Sequence, residues 1–98
     1  MVISLAQPQI QDLATRLKAI ANPVRLQLLI HLLNQPNFED CTCTLAPIVN
    51  LSEPTVSHHL KKLEATGLLA KERRGMSVFY RVVPESIHSI ARALHFDT

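Results

Sequence analysis

The run Leu51-Ser52-Glu53-Pro54-Thr55-Val56-Ser57-His58-His59-Leu60-Lys61-Lys62-Leu63-Glu64-Ala65-Thr66-Gly67 constrains the chain more than any other segment, because it carries its own start, its own stop and two unlike faces. Ser52 is a ready N-cap, Glu53 suits the positive end of a helix dipole, Pro54 is tolerated in a first turn, and Gly67 supplies a left-handed stop. At about 100° per residue Val56, Leu60 and Leu63 stack into one apolar stripe. The opposite side carries Pro54, His58 and Lys61, flanked by Thr55, Ser57 and Lys62. Short donors and acceptors mixed with cations suit base edges and phosphates. An ordinary amphipathic surface helix would show the same stripe, so the segment that follows has to decide.

After Gly67 the period changes from helical to two, through Leu69-Ala70-Lys71-Glu72-Arg73-Arg74 and Ser77-Val78-Phe79-Tyr80-Arg81-Val82-Val83 on either side of Gly75-Met76. Two short strands around a glycine turn predict a basic hairpin. A polar-faced helix followed at once by such a hairpin is the order of a winged helix-turn-helix. The charge distribution agrees: residues 52–81 hold Lys61, Lys62, Lys71, Arg73, Arg74 and Arg81 against Glu53, Glu64 and Glu72, while the rest of the chain is slightly acidic. One copy reaches only a few phosphates, so useful affinity calls for a dimer spanning two half-sites.

The 98 residues, 47% of them hydrophobic with only two glycines, suit a single domain, here read as 1–98. No apolar run approaches the roughly 20 residues of a membrane span. Met1-Val2-Ile3-Ser4-Leu5 lacks the basic start of a signal peptide, so the expected location is cytoplasmic, without membrane association. In that compartment Cys41 and Cys43 are expected as reduced thiols.

The remaining pattern is helical. Residues 8–21 place Ile10, Leu13, Ala14, Leu17, Ile20 and Ala21 on one face, and Asn22-Pro23 starts a second helix running to about Asn34, apolar nearly all round and therefore expected at the centre. A short helix from Thr44 to Asn50 precedes the recognition helix, placed at about 52–66. The wing follows at about 68–83. A last helix, 84–95, carries Ile87, Ile90, Ala91 and Leu94. The stripes of the terminal helices exceed what one small domain covers, and pairing Ile10, Leu13, Leu17, Ile87, Ile90 and Leu94 between two copies would bury them. A two-fold dimer sets two recognition helices about one DNA turn apart, the geometry that reads an inverted repeat in double-stranded DNA.

Glu39-Asp40-Cys41-Thr42-Cys43-Thr44 is the second chemically loaded segment. Two thiols two residues apart can close on one soft ion, but in a regular helix they point about 200° apart, so joint coordination needs non-helical backbone. Pro47 lacks the amide that a helix begun at Asp40 would need. The expectation is therefore a Cys-Thr-Cys loop leading into a helix capped by Thr44. Spacing alone leaves chance thiols as an alternative to a metal site.

Together, Asp40-Cys41-Thr42-Cys43-Thr44-Leu45, the Ser57-His58-His59-Leu60 core of the recognition helix, Glu72-Arg73-Arg74-Gly75, Tyr80-Arg81 and Ala21-Asn22-Pro23-Val24-Arg25 resemble the ArsR/SmtB family of metal- and metalloid-responsive repressors, over nearly the whole chain. The resemblance implies a dimeric winged-helix repressor, mainly α with a small β-hairpin wing, that releases its operator when an inducer binds. Cys41 and Cys43 match the first two cysteines of the arsenite-responsive branch; Ala46 stands where a third is often found. Pro84 and Ser86 replace ligands of the zinc-type site on the last helix, which leaves His88 and His95 as surface residues.

These readings combine into a non-enzymatic repressor. Ser52, Thr55, Ser57, His58, Lys61, Lys62, Arg73 and Arg74 are the expected DNA contacts, with Thr55, Ser57 and His58 at base edges and the cations at phosphates. As(III) or Sb(III) is the expected inducer on Cys41 and Cys43, with a cellular thiol, water or Asp40 as third ligand. The alternatives are a thiol redox or persulfide sensor, a soft divalent metal site on the same repressor, or a non-sensing winged-helix interaction module. No phosphate-binding glycine loop or serine–histidine–acid pattern competes.

Overall fold

Three of the helices begin at a side-chain cap in the structure, a computed structural model that describes residues 7–95. The reading of Met1 to Leu5 lies outside those residues, as do the last three positions of the domain read as 1–98. Helix α1 spans Gln7–Ile20 and α2 spans Pro23–Leu33, where Asn22 caps α2 by accepting from the amides of Val24 and Arg25. A single 3-10 turn at Pro36–Phe38, with Asn37 and Phe38 at positive φ, reverses the chain. Strand β1 (Glu39–Cys41) then runs directly into α3 (Thr42–Val49). Asn50, in the left-handed conformation, closes α3 and leads through Leu51 to α4 (Glu53–Ala65), whose N-cap is Ser52. Strands β2 (Leu69–Arg74) and β3 (Ser77–Val82) form the wing, and α5 (Pro84–Ala93) ends the described chain.

The core lies where α2, α3, α4 and the base of the wing meet. Leu28, Leu29 and Leu32 from α2 pack with Leu45 and Ala46 from α3, Val56, Leu60 and Leu63 from α4, Leu68 just before β2, and Leu69, Tyr80 and Val82 from the sheet. Gly67 follows α4 at φ +82°, a conformation costly for a residue with a Cβ, and a Cβ there would meet the Arg16 guanidinium at 3.3 Å. Arg16 Nε donates to Thr66 O at 2.9 Å, which ties α1 to the end of α4. Ser86 Oγ donates to Gly67 O at 2.7 Å and ties α5 to the same corner.

Three expectations are corrected. The helix before the recognition helix begins at Thr42, with Cys41 and not Thr44 as its cap. Pro47 sits inside it, and this is tolerated because the carbonyl it leaves unbonded belongs to the exposed Cys43, where water can serve it. The wing has a third strand: β1 pairs antiparallel with β3, giving the order β1-β3-β2, with Glu39 opposite Arg81, Asp40 opposite Tyr80 and Cys41 opposite Phe79. Three residues are too few for strand periodicity to register in the sequence. Finally, α2 is central on one side only, since Leu26, Ile30 and Leu33 are exposed.

Candidate functional site

Helix α4 presents the polar face its sequence implies. Val56, Leu60 and Leu63 are fully buried, whereas Pro54, Thr55, His58, Lys61 and Lys62 are exposed. Ser52 Oγ accepts from Thr55 N at 3.3 Å and donates to Thr55 Oγ1 at 2.9 Å, so the two hydroxyls stand together at the positive end of the helix. Ser57 is half-buried, turned toward the wing, where the Tyr80 hydroxyl is sealed from solvent. Burial pushes the Tyr80 phenol up, the Glu64 carboxylate pushes it the same way, and the Ser57 hydroxyl pulls against both without forming a full hydrogen bond. Ser57 therefore offers less of itself to a ligand than Thr55 or His58. His59 is half-buried against α2, where its Nδ1 lies 3.2 Å from Arg25 Nη1.

The wing cations divide by strand alternation. Arg73 and Lys71 are exposed, and no ion pair holds either among the described residues. Arg74 lies on the other face, folded back across the sheet. Its guanidinium stacks over the Phe79 ring at 4.4 Å, donates from Nε to Glu72 at 2.7 Å, and forms ion pairs with both Glu72 and Glu39. Of the eight residues expected at DNA, Arg74 is the one already bound to acids. Glu39 was missed because its partner is two strands away, and no local pattern announces it.

The thiol site sits at the junction of β1 and α3. Cys41 is buried at 5% exposure and Cys43 is exposed. The expected free thiols are corrected: the two sulfurs are joined in a disulfide. The extended backbone of Cys41, at φ −83° and ψ 147°, turns its side chain toward Cys43, which a helical Cys41 could not do. Cys41 Sγ also accepts from Cys43 N at 3.2 Å, so the sulfur is itself the N-cap of α3. Asp40 turns away from the sulfurs, its Oδ1 accepting from Cys41 N at 2.8 Å and its Oδ2 pairing with His31 Nε2 at 2.9 Å. Between the two cysteines, at the first residue of α3, Thr42 Oγ1 donates to Glu53 Oε1 at 3.4 Å, linking the start of α3 to the start of α4.

The terminal helices leave much of their apolar face uncovered. Ile10, Leu17 and Leu94 are 43%, 36% and 41% exposed, Leu13 is half-buried, and Ile87 and Ile90 lean only partly on the core. A cleft of about 510 Å³ opens between α1 and α5, lined by Leu13, Arg16, Ile90 and Arg92 among others. His88 and His95 are exposed, and among the described residues no helix is long and apolar enough to cross a membrane.

Residues 22–71 match the family model described as bacterial regulatory protein, arsR family. The chain is 34% identical over 84 residues to a transcriptional repressor SmtB homolog of Synechocystis, covering 86% of this chain and 61% of that protein. It is 33% identical over 84 residues to an arsenical resistance operon repressor of Staphylococcus xylosus, covering 86% of this chain and 78% of that one. The solved structure of HlyU from Vibrio cholerae superposes with a TM-score of 0.76 at 29% identity, covering 92% of this chain and 95% of that chain. The chain spans 52–61% of the length of the first curated relatives it matches.

Proposed function

The chain belongs to the arsR family of bacterial regulatory proteins, and from that membership we propose that it is a transcriptional repressor, not an enzyme, acting in the cytoplasm as a homodimer on an inverted-repeat operator. Thr55 and His58, with Ser52 and Ser57 beside them, read base edges from α4, and Lys61, Lys62 and Arg73 meet phosphates. The uncovered faces of α1 and α5 support the dimer, in which Ile10, Leu13, Leu17, Ile87, Ile90 and Leu94 pack between copies.

The inducer in this reading is As(III) or Sb(III), taken up by the reduced thiols of Cys41 and Cys43. Arsenous acid would react with the two thiols, each S–H proton leaving with one hydroxyl as water, so that two As–S bonds replace two As–O bonds; the third hydroxyl stays or is exchanged for a small thiol, and Asp40, committed to His31 and to the Cys41 amide, is poorly placed to replace it. One observation carries the proposal: the sulfur that would bind the ion is the atom that, in the disulfide form, caps α3. Drawing Cys41 Sγ onto an ion weakens that cap, a loss on the order of 1 kcal/mol, and disturbs the helix whose first turn touches Glu53 of the recognition helix. By reciprocity, operator DNA weakens inducer binding by the same factor.

The disulfide favours a second reading, a redox switch at the same pair. Hydrogen peroxide would take two electrons and two protons from the thiols, forming the S–S bond and two waters. The two readings separate in one titration, following fluorescence anisotropy of a duplex from the promoter upstream of the protein's own gene. Release from reduced protein by As(III) or Sb(III), but not by Zn(II), supports the metalloid reading. Release by peroxide with arsenite inert supports the redox reading.

A further inference from the structure

The basic wing holds one of its charges in reserve. Arg74 is bracketed by two carboxylates and by the Phe79 ring, so its positive charge is already neutralised within the sheet. The two acids are unequal. Glu72 is 62% exposed, and such a pair is worth little against competing ions. Glu39 is only 14% exposed, and its Oε2 is sealed from solvent. Among the described residues Arg74 is its only ionic partner. Pulling Arg74 away would leave a largely buried carboxylate unpaired, and that cost keeps the pair closed.

We propose that Glu39 acts as a built-in phosphate surrogate that withholds Arg74 from operator DNA, so that of the three cations on β2 only Arg73 and Lys71 are left to engage phosphate. Glu39 is a positioning residue, acting through Arg74 and not on the nucleic acid. It occupies the first position of the three-residue strand that ends in Cys41, and both positions pair directly with β3. The charge of the wing is therefore controlled from the strand that carries the thiol site. The inference rests on the DNA-binding reading and adds to it which cations count.

The test is the salt dependence of operator binding by the reduced dimer. Each phosphate neutralised contributes about 0.9 to the slope of log K against log salt. Glu39→Gln keeps the shape of the side chain and removes its charge; it should tighten operator binding and steepen the slope by about one unit per protomer as Arg74 is freed. Arg73→Ala should flatten the wild-type slope by about one unit per protomer, and Arg74→Ala by much less. The double variant Glu39→Gln/Arg74→Ala, which leaves no buried charge unpaired, should return to the wild-type slope. Equal flattening by Arg73→Ala and Arg74→Ala would overturn the proposal, as would a Glu39→Gln slope identical to wild type. If the wild type bound no DNA at low salt, the DNA-binding reading itself would fail, an outcome distinct from either.

Discussion

Arg25 of α2 stands with its Nη1 3.2 Å from the Nδ1 of His59 on α4. The guanidinium is always a donor, so the imidazole accepts at Nδ1 and carries its proton on Nε2. Arg25 Nε also donates to Ala19 O at 2.6 Å, and the one side chain thereby joins the end of α1, the start of α2 and the middle of the recognition helix. A protonated His59 could not accept this bond.

Burial, then the charges of Arg25, His58 and Lys62, hold the His59 pKa below its ordinary 6.5. The unfolded chain therefore binds this proton more readily than the folded one, and stability rises with pH through that region. The contribution is fully present above about 6.5 and is lost as pH falls below it. Denaturant midpoints measured between neutral and mildly acidic pH should decline toward acid in the wild type. His59→Gln, which does not titrate, should decline less.

At the recognition helix, Lys62→Ala and His58→Ala should differ in kind. Lys62→Ala should weaken all sequences alike and flatten the salt slope by about one unit per protomer, whereas His58→Ala should relax sequence preference by about 1–3 kcal/mol. Competition binding against single-base operator variants checks both. An unchanged salt slope after removing Lys61 and Lys62 together would refute the assignment.

The exposed apolar faces of α1 and α5 predict a dimer at micromolar concentration. Leu17→Asp and Leu94→Asp, at side chains that contribute little to the protomer's own core, should give a folded monomer in sedimentation and abolish tight operator binding. Ile90 is the less clean choice, because it also leans on the core of its own protomer. A wild-type protein sedimenting as a monomer would contradict the interface.

The recognition helix was legible because Ser52, Pro54 and Gly67 mark its ends and Val56, Leu60 and Leu63 its buried side, all local signals. The hairpin was legible for the same reason. Strand β1 was not: Glu39 to Cys41 become a strand only because β3 offers a free edge, a tertiary fact. The start of α3 is not legible, because Pro47 favours a first-turn position and a sulfur cap at Cys41 is not among the common N-cap chemistries. Arg74 read as a free cation because its acid Glu39 lies far away in the chain.

Operator release by As(III) from the reduced single-serine variants decides whether one sulfur both caps α3 and receives the inducer. Serine is itself a strong N-cap, so Cys41→Ser should preserve α3 and bind operator like the wild type, and Cys43→Ser, altered at an exposed side chain, should do the same. Neither variant can chelate through two thiolates, and neither should release DNA at arsenite concentrations that fully release the wild type. If both variants release operator as the wild type does, Cys41 and Cys43 are not the sensor.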